Sequence, residues 1–476
     1  MAKEKVERNE KMEAIISLTK RRGFIYQGSE IYGGLAGTWD YGPLGVMLKK
    51  NIENMWWKIF VEEREDMYGV DAAILMNPQA WVASGHVGGF SDPLVECTKC
   101  KKRFRADHLR DTFLNENPAI LHDEPSGTVE VLNRDFSSFD IKCSNCGNSL
   151  RNAQVRQFNM MFQTRVGANE DAGSTTYLRP ETAGGMFVNY KNVMDSFHPK
   201  LPFGLAQIGK AFRNEIAVRD FIFRVRELEQ MEVEYFVDPS EWEKYFEEFR
   251  LRMWSFIDAI GLSREHVHEL EVAETDRAHY SRRTIDFEFD YPFGRKELYG
   301  LAYRGDFDLK SHQEGSKADL TYFDEDSKAR FLPHVIEPSL GVGRTMLAIL
   351  SDAYTEDEMG GEKRVYLKFA PGIAPIRVAV FPLLKNKPEL VAKGREVYEN
   401  LRKIFGSKVM FDDNGNIGKR YRRQDEIGTP YCVTIDFDTL GENPELLDTV
   451  TLRDRDSGTQ KRVPLSQLAS HIGSKT

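Results

Sequence analysis

Residues 212 to 236 read FRNEIAVRDFIFRVRELEQMEVEYF, and their guanidinium and carboxylate groups crowd together in what reads as a β-hairpin. Burying even one unpaired charge is costly, so such a stretch must meet partners. Residues two apart in a strand share a face. Arg213 and Glu215 are therefore expected to point together from one strand, and Arg224, Arg226, Leu228, Gln230 and Glu232 from the other. The opposite parity, Val225, Met231, Val233 and Tyr235, reads as core-facing apart from Glu227 and Glu229. A ladder of salt bridges would satisfy this surface. So would a nucleotide together with an ammonium, because a planar guanidinium fits phosphate oxygens and rings while a carboxylate takes a cation.

Two further groupings carry chemistry. Cys97 and Cys100 in CTKC, with Cys143 and Cys146 in CSNCG, form two CxxC knuckles, each able to place two thiolates on one tetrahedral ion. The 42 intervening residues exceed the usual zinc-ribbon spacing, which leaves free thiols as the alternative to structural zinc. A catalytic zinc is not expected, since all four positions would be filled. His108 and His122, between the knuckles, read as ordinary polar residues. In GKRYRRQ, Lys419, Arg420, Arg422 and Arg423 surround Tyr421 on a predicted helix, a pattern suited to RNA phosphates and bases or to a plain solvated face.

The elements that must position these groups follow from periodicity. Leu44, Leu48, Ile52, Met55, Trp56, Ile59 and Phe60 recur at helical spacing after a Gly-Pro turn, and VDAAILMNP after Gly69 reads as a strand. YLRPET, FGLAQIGKAFRNE and FRVRELEQMEVEYF read as strands. A long helix is expected from DPSEWEKYFEEF, with Asp238 as cap, Pro239 in the first turn and Gly261 as stop. Beyond a Pro/Gly linker near Pro371, IRVAVFPLL, ELVAKGREVYENLRKIFG, KVMFDD, IGKRYRRQDEIG and YCVTIDFD alternate strand and helix, which describes a small α/β domain.

The chain of 476 residues is 41% hydrophobic, enough for two or three packed domains. No stretch approaches the roughly 20 apolar residues of a membrane span. Paired cysteines plus a lone Cys432 in an apolar strand suit a reducing compartment, and the cytoplasm is expected. A net charge of -9 means that any RNA must be held by local basic patches.

FRNE followed by FRVRELEQMEVEYF resembles motif 2 of class II aminoacyl-tRNA synthetases. EPSLGVGRTMLAIL resembles motif 3, and residues 43–78, ending at Pro78, resemble motif 1. WDYGPLG, MNPQAWVASGHVGGFSDPL and YLRPETAGG are similar to passages of the homodimeric glycyl-tRNA synthetases, and the likeness covers nearly the whole chain. It implies a multidomain α+β and α/β protein. Residues 1–370 would form the catalytic domain, an antiparallel sheet flanked by helices with a zinc-knuckle insertion over 97–150. Residues 371–476 would form an α/β anticodon-binding domain, and a homodimer with motif 1 at its interface is implied.

The resemblance also implies roles. Arg213 falls on the α-phosphate of ATP, Glu215 on the adenine amino group, and Arg344 clamps the nucleotide from the other side. The ATP site further takes in Asn214, the segment Phe223, Arg224, Val225, Arg226, Glu227 and Leu228, then Leu298 and Gly341, Val342 and Gly343, with Glu297 meeting both ATP and its magnesium. Around the glycine ammonium fall Glu181, Glu232, Glu337 and Ser339. Arg105 and Arg304 would meet anionic parts of the substrate, and Leu228, Glu229, Gln230, Met231, Pro338, Leu340 and Gly341 complete that pocket. Leu228 stands where the family commonly has Phe under adenine, and Gly184 where Gln is expected. Lys419, Arg420, Arg422 and Arg423 would contact tRNA. The expected reaction is formation of glycyl-adenylate and transfer of glycine to the 3' end of its tRNA. Small size alone selects glycine, and no editing domain is evident. A non-catalytic protein on the same scaffold would tend to lose Arg213, Glu215, Glu297 and Arg344, and a zinc-stabilised nucleic-acid binder would not explain the Arg/Glu hairpin.

Overall fold

The computed structural model describes residues 2–118, 120, 128–167, 175–278 and 280–473, with side chains from residue 10 onward. His122 lies outside the described residues. The central sheet is built from Met67–Gly69 (β1), Phe203–Phe212 (β2), Glu227–Val237 (β3), Val267–Glu271 (β4), Arg283–Tyr291 (β5), Gly294–Gly305 (β6) and His334–Gly341 (β7). Their spatial order is β4-β5-β6-β7-β3-β2-β1, antiparallel except for the β1–β2 edge pair.

Strand alternation divides this sheet into two unlike faces. Helices Pro43–Trp57 (α1), Ala183–Phe197 (α2), Trp242–Ala259 (α3), Phe307–Ser316 (α4) and Val342–Ala353 (α5) cover it. On one face Met231, Val233, Tyr235 and Leu340 pack against Leu48 and Trp56 of α1, Phe249 of α3 and Met346 of α5. Side chains buried in this way contribute about 1.5–3 kcal/mol each. On the other face α2 and α4 cover one end, through Phe187, Tyr190 and Leu309 on Phe203 and Phe236. Toward the opposite end that face carries Gln230, Glu232, Ser339 and Gly341, paired in register as Gln230 with Gly341 and Glu232 with Ser339.

Three sequence expectations are corrected. β2 stops at Phe212 and β3 begins at Glu227, so Arg213, Glu215, Arg224 and Arg226 lie on the intervening loop rather than on strands. Asp220 and Phe221 take left-handed φ values of 59° and 60° and fold the loop back. Arg226 leaves the ladder because its N–H donates to Gly37 O at 2.9 Å and its guanidinium to Ala36 O and Glu215 O. Next, VDAAILMNP is irregular apart from a bridge between Leu75 and Leu178 and its last residue, Pro78, which begins the short helix Pro78–Ala83. Its carbonyls are taken by side chains instead, Ala72 O by Arg179 at 2.7 Å and Met76 O by Thr176 at 3.0 Å. Finally, Asp238 caps a turn through Ser240 N–H at 2.8 Å and not the helix, which starts only at Trp242; Gly261, at φ +77°, does end it.

Strands Ser91–Glu96 and Arg156–Asn159 pair to anchor the cysteine-bearing segment, which has its own core of Val95, Leu132, Phe136, Ile141 and Leu150. Near the C-terminus, Val378–Pro382 (β8), Pro388–Phe405 (α6), Val409–Phe411 (β9), Ile417–Glu426 (α7) and Tyr431–Ile435 (β10) form as the alternation predicts. Two antiparallel strands, Thr449–Asp454 (β11) and Gln460–Pro464 (β12), extend the sheet to the order β9-β8-β10-β11-β12. The basic run on α7 is corrected in part. Arg420 is buried, and it donates to Asp413 O at 2.9 Å, Gly415 O at 2.7 Å and Pro382 O. Tyr421 is tied to Thr434 at 2.7 Å, with Arg453 over its ring. Neither is free for RNA. Arg423 pairs with Asp412 and Arg422 with Glu362, while Lys419 is exposed.

Candidate active site

The 213–226 loop, β3, β6 and the β7–α5 junction enclose a pocket of about 320 Å³, within the size range of small-molecule sites. Arg213, Glu215, Phe223, Arg224, Val225, Glu227, Leu228, Glu297, Leu298, Gly341, Gly343 and Arg344 all line it. Arg213 is aimed by one bond, from Nε to Pro180 O at 3.1 Å, and by the Phe90 ring 5.6 Å away. Across the pocket Arg344 lies over the Phe223 ring at 4.6 Å and pairs with Glu297 at 3.0 Å. That guanidinium holds the Glu297 carboxyl below its ordinary range. Leu228 and Val225 supply apolar wall. Asn214 contributes a backbone N–H to Met160 O at 2.8 Å, and Arg226 stays outside, bonded to the 28–38 loop. Val342 is buried in the core as the first residue of α5.

The open face of the sheet continues from this pocket into a cluster of acids. Glu232, buried, receives Thr182 N–H at 3.2 Å, Ala183 N–H at 3.1 Å and the Thr182 hydroxyl on one oxygen. Gln230 at 2.9 Å and the Ser339 hydroxyl reach the other. Arg304 does not open to the pocket: it is 2% exposed, clamped on Asp308 at 2.7 Å, and it donates to Glu337. Burial pushes the Glu337 carboxyl up, Arg304 opposes this, and the neighbouring Glu234 is driven well above the usual range by burial and by Glu337. Burial would also raise Glu181, but His86 at 3.4 Å, with Arg304 and Arg213, brings it down to about 2. Arg105 lines the pocket, paired with Asp92 at 3.0 Å and with Asp107.

Three residues expected around glycine are turned away: Met231, Pro338 and Leu340 have the wrong parity and face the helices. Glu229 lines the pocket, and its carboxylate is paired with Lys49 of α1 and lies 4.0 Å from Lys210 of β2.

Two family models match this chain. The tRNA synthetase class II core domain (G, H, P, S and T) matches residues 162–353, and the anticodon binding domain matches residues 377–475. The chain is 48% identical to the glycine–tRNA ligase of Clostridium acetobutylicum, with 98% of each chain covered. It is 49% identical to the enzymes of that name from Acetivibrio thermocellus and Lysinibacillus sphaericus, at the same coverage. The chain belongs to the glycine–tRNA ligase family.

Several groups that shape this family member's site escape a reading by motif. Glu234 has the parity of Glu232, a signal that could have found it. His86 and Phe90 stand in SGHVGGF, which gives no spacing cue. Asp92, Trp39 and Tyr41 also line the pocket. Gly184 has a steric reason, because a side chain there would meet the Trp81 ring at 2.8 Å. Away from the pocket, the sulfurs of Cys97, Cys100, Cys143 and Cys146 lie within 4.8 Å of one another, with Cys97–Cys146 and Cys100–Cys143 at 3.7 Å. Four thiolates about 2.3 Å from one tetrahedral zinc would stand about 3.8 Å apart, so the cluster fits that ion.

Proposed function

We propose that this protein activates glycine with ATP and then transfers it to the 3' end of its tRNA. The observation that carries the reading is the continuity of two half-sites on one sheet face, guanidinium groups around a pocket at one end and carboxylates beside it. In the first step the glycine carboxylate oxygen attacks the α-phosphorus, and the bond to the diphosphate oxygen breaks. Arg213 lies where it can hold the anionic oxygens, and Arg344 with Phe223 bounds the base from the other side. Magnesium bound with ATP, with Glu297 as its protein ligand, would neutralise phosphate charge. In the second step a ribose hydroxyl attacks the carbonyl and AMP leaves.

Glu181, Glu232 and Glu337 favour the ammonium, and the crowded face excludes larger side chains. The four cysteines hold a structural zinc. Two such chains pair through the motif 1 region, a reading supported by the groove of Met55, Ile59 and exposed Leu251 between α1 and α3. Residues 1–370 and 371–476 act as catalytic and anticodon-binding parts, with tRNA met by Lys419, Arg422 and Arg423. Among the described residues no helix is long and apolar enough to cross a membrane. The paired cysteines and the lone Cys432 support a reducing compartment, the cytoplasm, as the place of work. Glycine-dependent exchange of labelled pyrophosphate into ATP, without tRNA, tests the first step. Exchange with glycine but not alanine or serine is expected, and no exchange with any of them would refute the reading.

A further inference from the structure

Resting on the glycine reading, we infer that His86 is a positioning residue whose Nε2–H orients Glu181 as the principal acceptor for the substrate ammonium. The three carboxylates of the cluster are not equivalent. Glu232 already accepts five protein donors, more than the roughly four lone-pair directions of a carboxylate. Glu337 accepts from the buried Arg304 guanidinium. Among the described residues, the Glu181 carboxylate has one ion-pair partner, His86, at 3.4 Å. Glu181 therefore retains the most open capacity for a new cation.

The imidazole is held from every side. Ser84 Oγ lies 2.8 Å from Nδ1, Trp81 meets the ring edge-on at 5.4 Å, and Phe90 lies at 5.6 Å. Trp81 is fully buried and seats itself over Gly184, so the missing side chain at 184 makes room for the indole that backs His86. An ionised Glu181 offers only acceptors, so Nε2 must carry a hydrogen. Nδ1 faces a hydroxyl able to donate or accept, and the donor to Glu181 therefore persists in both the neutral and the charged ring. The 3.4 Å contact is long, as such contacts often are before substrate binds. Arg213, Arg304, Glu232, Glu337 and His312 complete the charged surroundings of Glu181.

The test is pyrophosphate exchange with separate KM values for glycine and ATP, in the unsubstituted protein, H86Q and H86L. H86L is expected to raise the glycine KM about tenfold, the equivalent of one pK unit of lost stabilisation, while the ATP KM stays within about twofold. H86Q, whose amide can still donate, should recover most of the loss. Glycine and ATP KM values that rise together in H86L, or a glycine KM in H86Q as high as in H86L, would overturn the assignment. Absence of glycine-dependent exchange before any substitution would overturn the activity reading instead.

Discussion

In the 213–226 loop, Arg213 uses one nitrogen on Pro180 O, and its remaining guanidinium nitrogens meet no acceptor among the described residues. In α7, Arg420 donates to three backbone carbonyls, and Arg423 to both Asp412 oxygens and Asn414 O. The two stretches look alike as strings of basic and acidic residues. What separates them is where the oxygens are. Carbonyls of the β8 end and of the 413–415 turn converge on Arg420, whereas the loop at Arg213 opens onto a pocket with carboxylates across it. A guanidinium whose partners are internal is part of the fold. One whose partners are withheld waits for a ligand, and proteins accept reduced stability at such places.

The comparison can be broken most directly at Arg213. Arg213→Ala should lower glycine-dependent pyrophosphate exchange by about 10³-fold, the usual cost of removing a preorganised donor to developing anionic charge. Its melting temperature and tRNA affinity should remain near those of the unsubstituted protein. A variant that still exchanges pyrophosphate normally would show that the open nitrogens of Arg213 do not meet the α-phosphate.

Arg420→Ala should behave in the opposite sense. It leaves the buried Pro382 carbonyl and the part-buried Asp413 and Gly415 carbonyls without their donor and is expected to cost about 3 kcal/mol of stability. Urea unfolding would measure the loss, and filter binding would show whether tRNA affinity changes beyond what unfolding explains. A stable protein with weakened tRNA binding would return Arg420 to the RNA surface and erase the contrast.

How much of this was legible beforehand follows from the same distinction. The alternating C-terminal elements β8, α6, β9, α7 and β10 were readable because each is periodic over its whole length. The parity of Glu232, Ser339 and Gly341 was readable because β3 and β7 are regular there. Arg224 and Arg226 were misplaced onto a strand because apolar and charged residues alternate through Glu227, and nothing local reveals that Gly37 and Ala36, far earlier in the chain, take the Arg226 donors. Arg304 posed a similar difficulty, since its tie to Asp308 has ordinary helix-like spacing but its tie to Glu337 crosses between strands. Partner identity is a property of tertiary structure, and motif resemblance supplies it only where the family keeps it.

The smallest expected effect tests whether a carboxylate neighbouring Glu297 is also held at a cost. Asp286 lies on β5 opposite Gly300, and burial together with Glu297 and Glu288 raises its carboxyl to about 7, with Arg344 opposing. A folded-state value above the unfolded one means that the folded protein binds the proton more tightly. The associated stability is complete below about pH 4 and is lost as pH rises toward 7. Asp286→Asn cannot ionise and should escape that loss. The variant should therefore match the unsubstituted protein near pH 4 and exceed it by about 1–2 kcal/mol at pH 8, the full linkage value being reduced for solvent screening. Parallel unfolding curves at pH 4, 6 and 8 would measure this difference. If the gap failed to widen with pH, Asp286 would already be satisfied, and it would resemble Asp412 beside Arg423 more than the open Glu181.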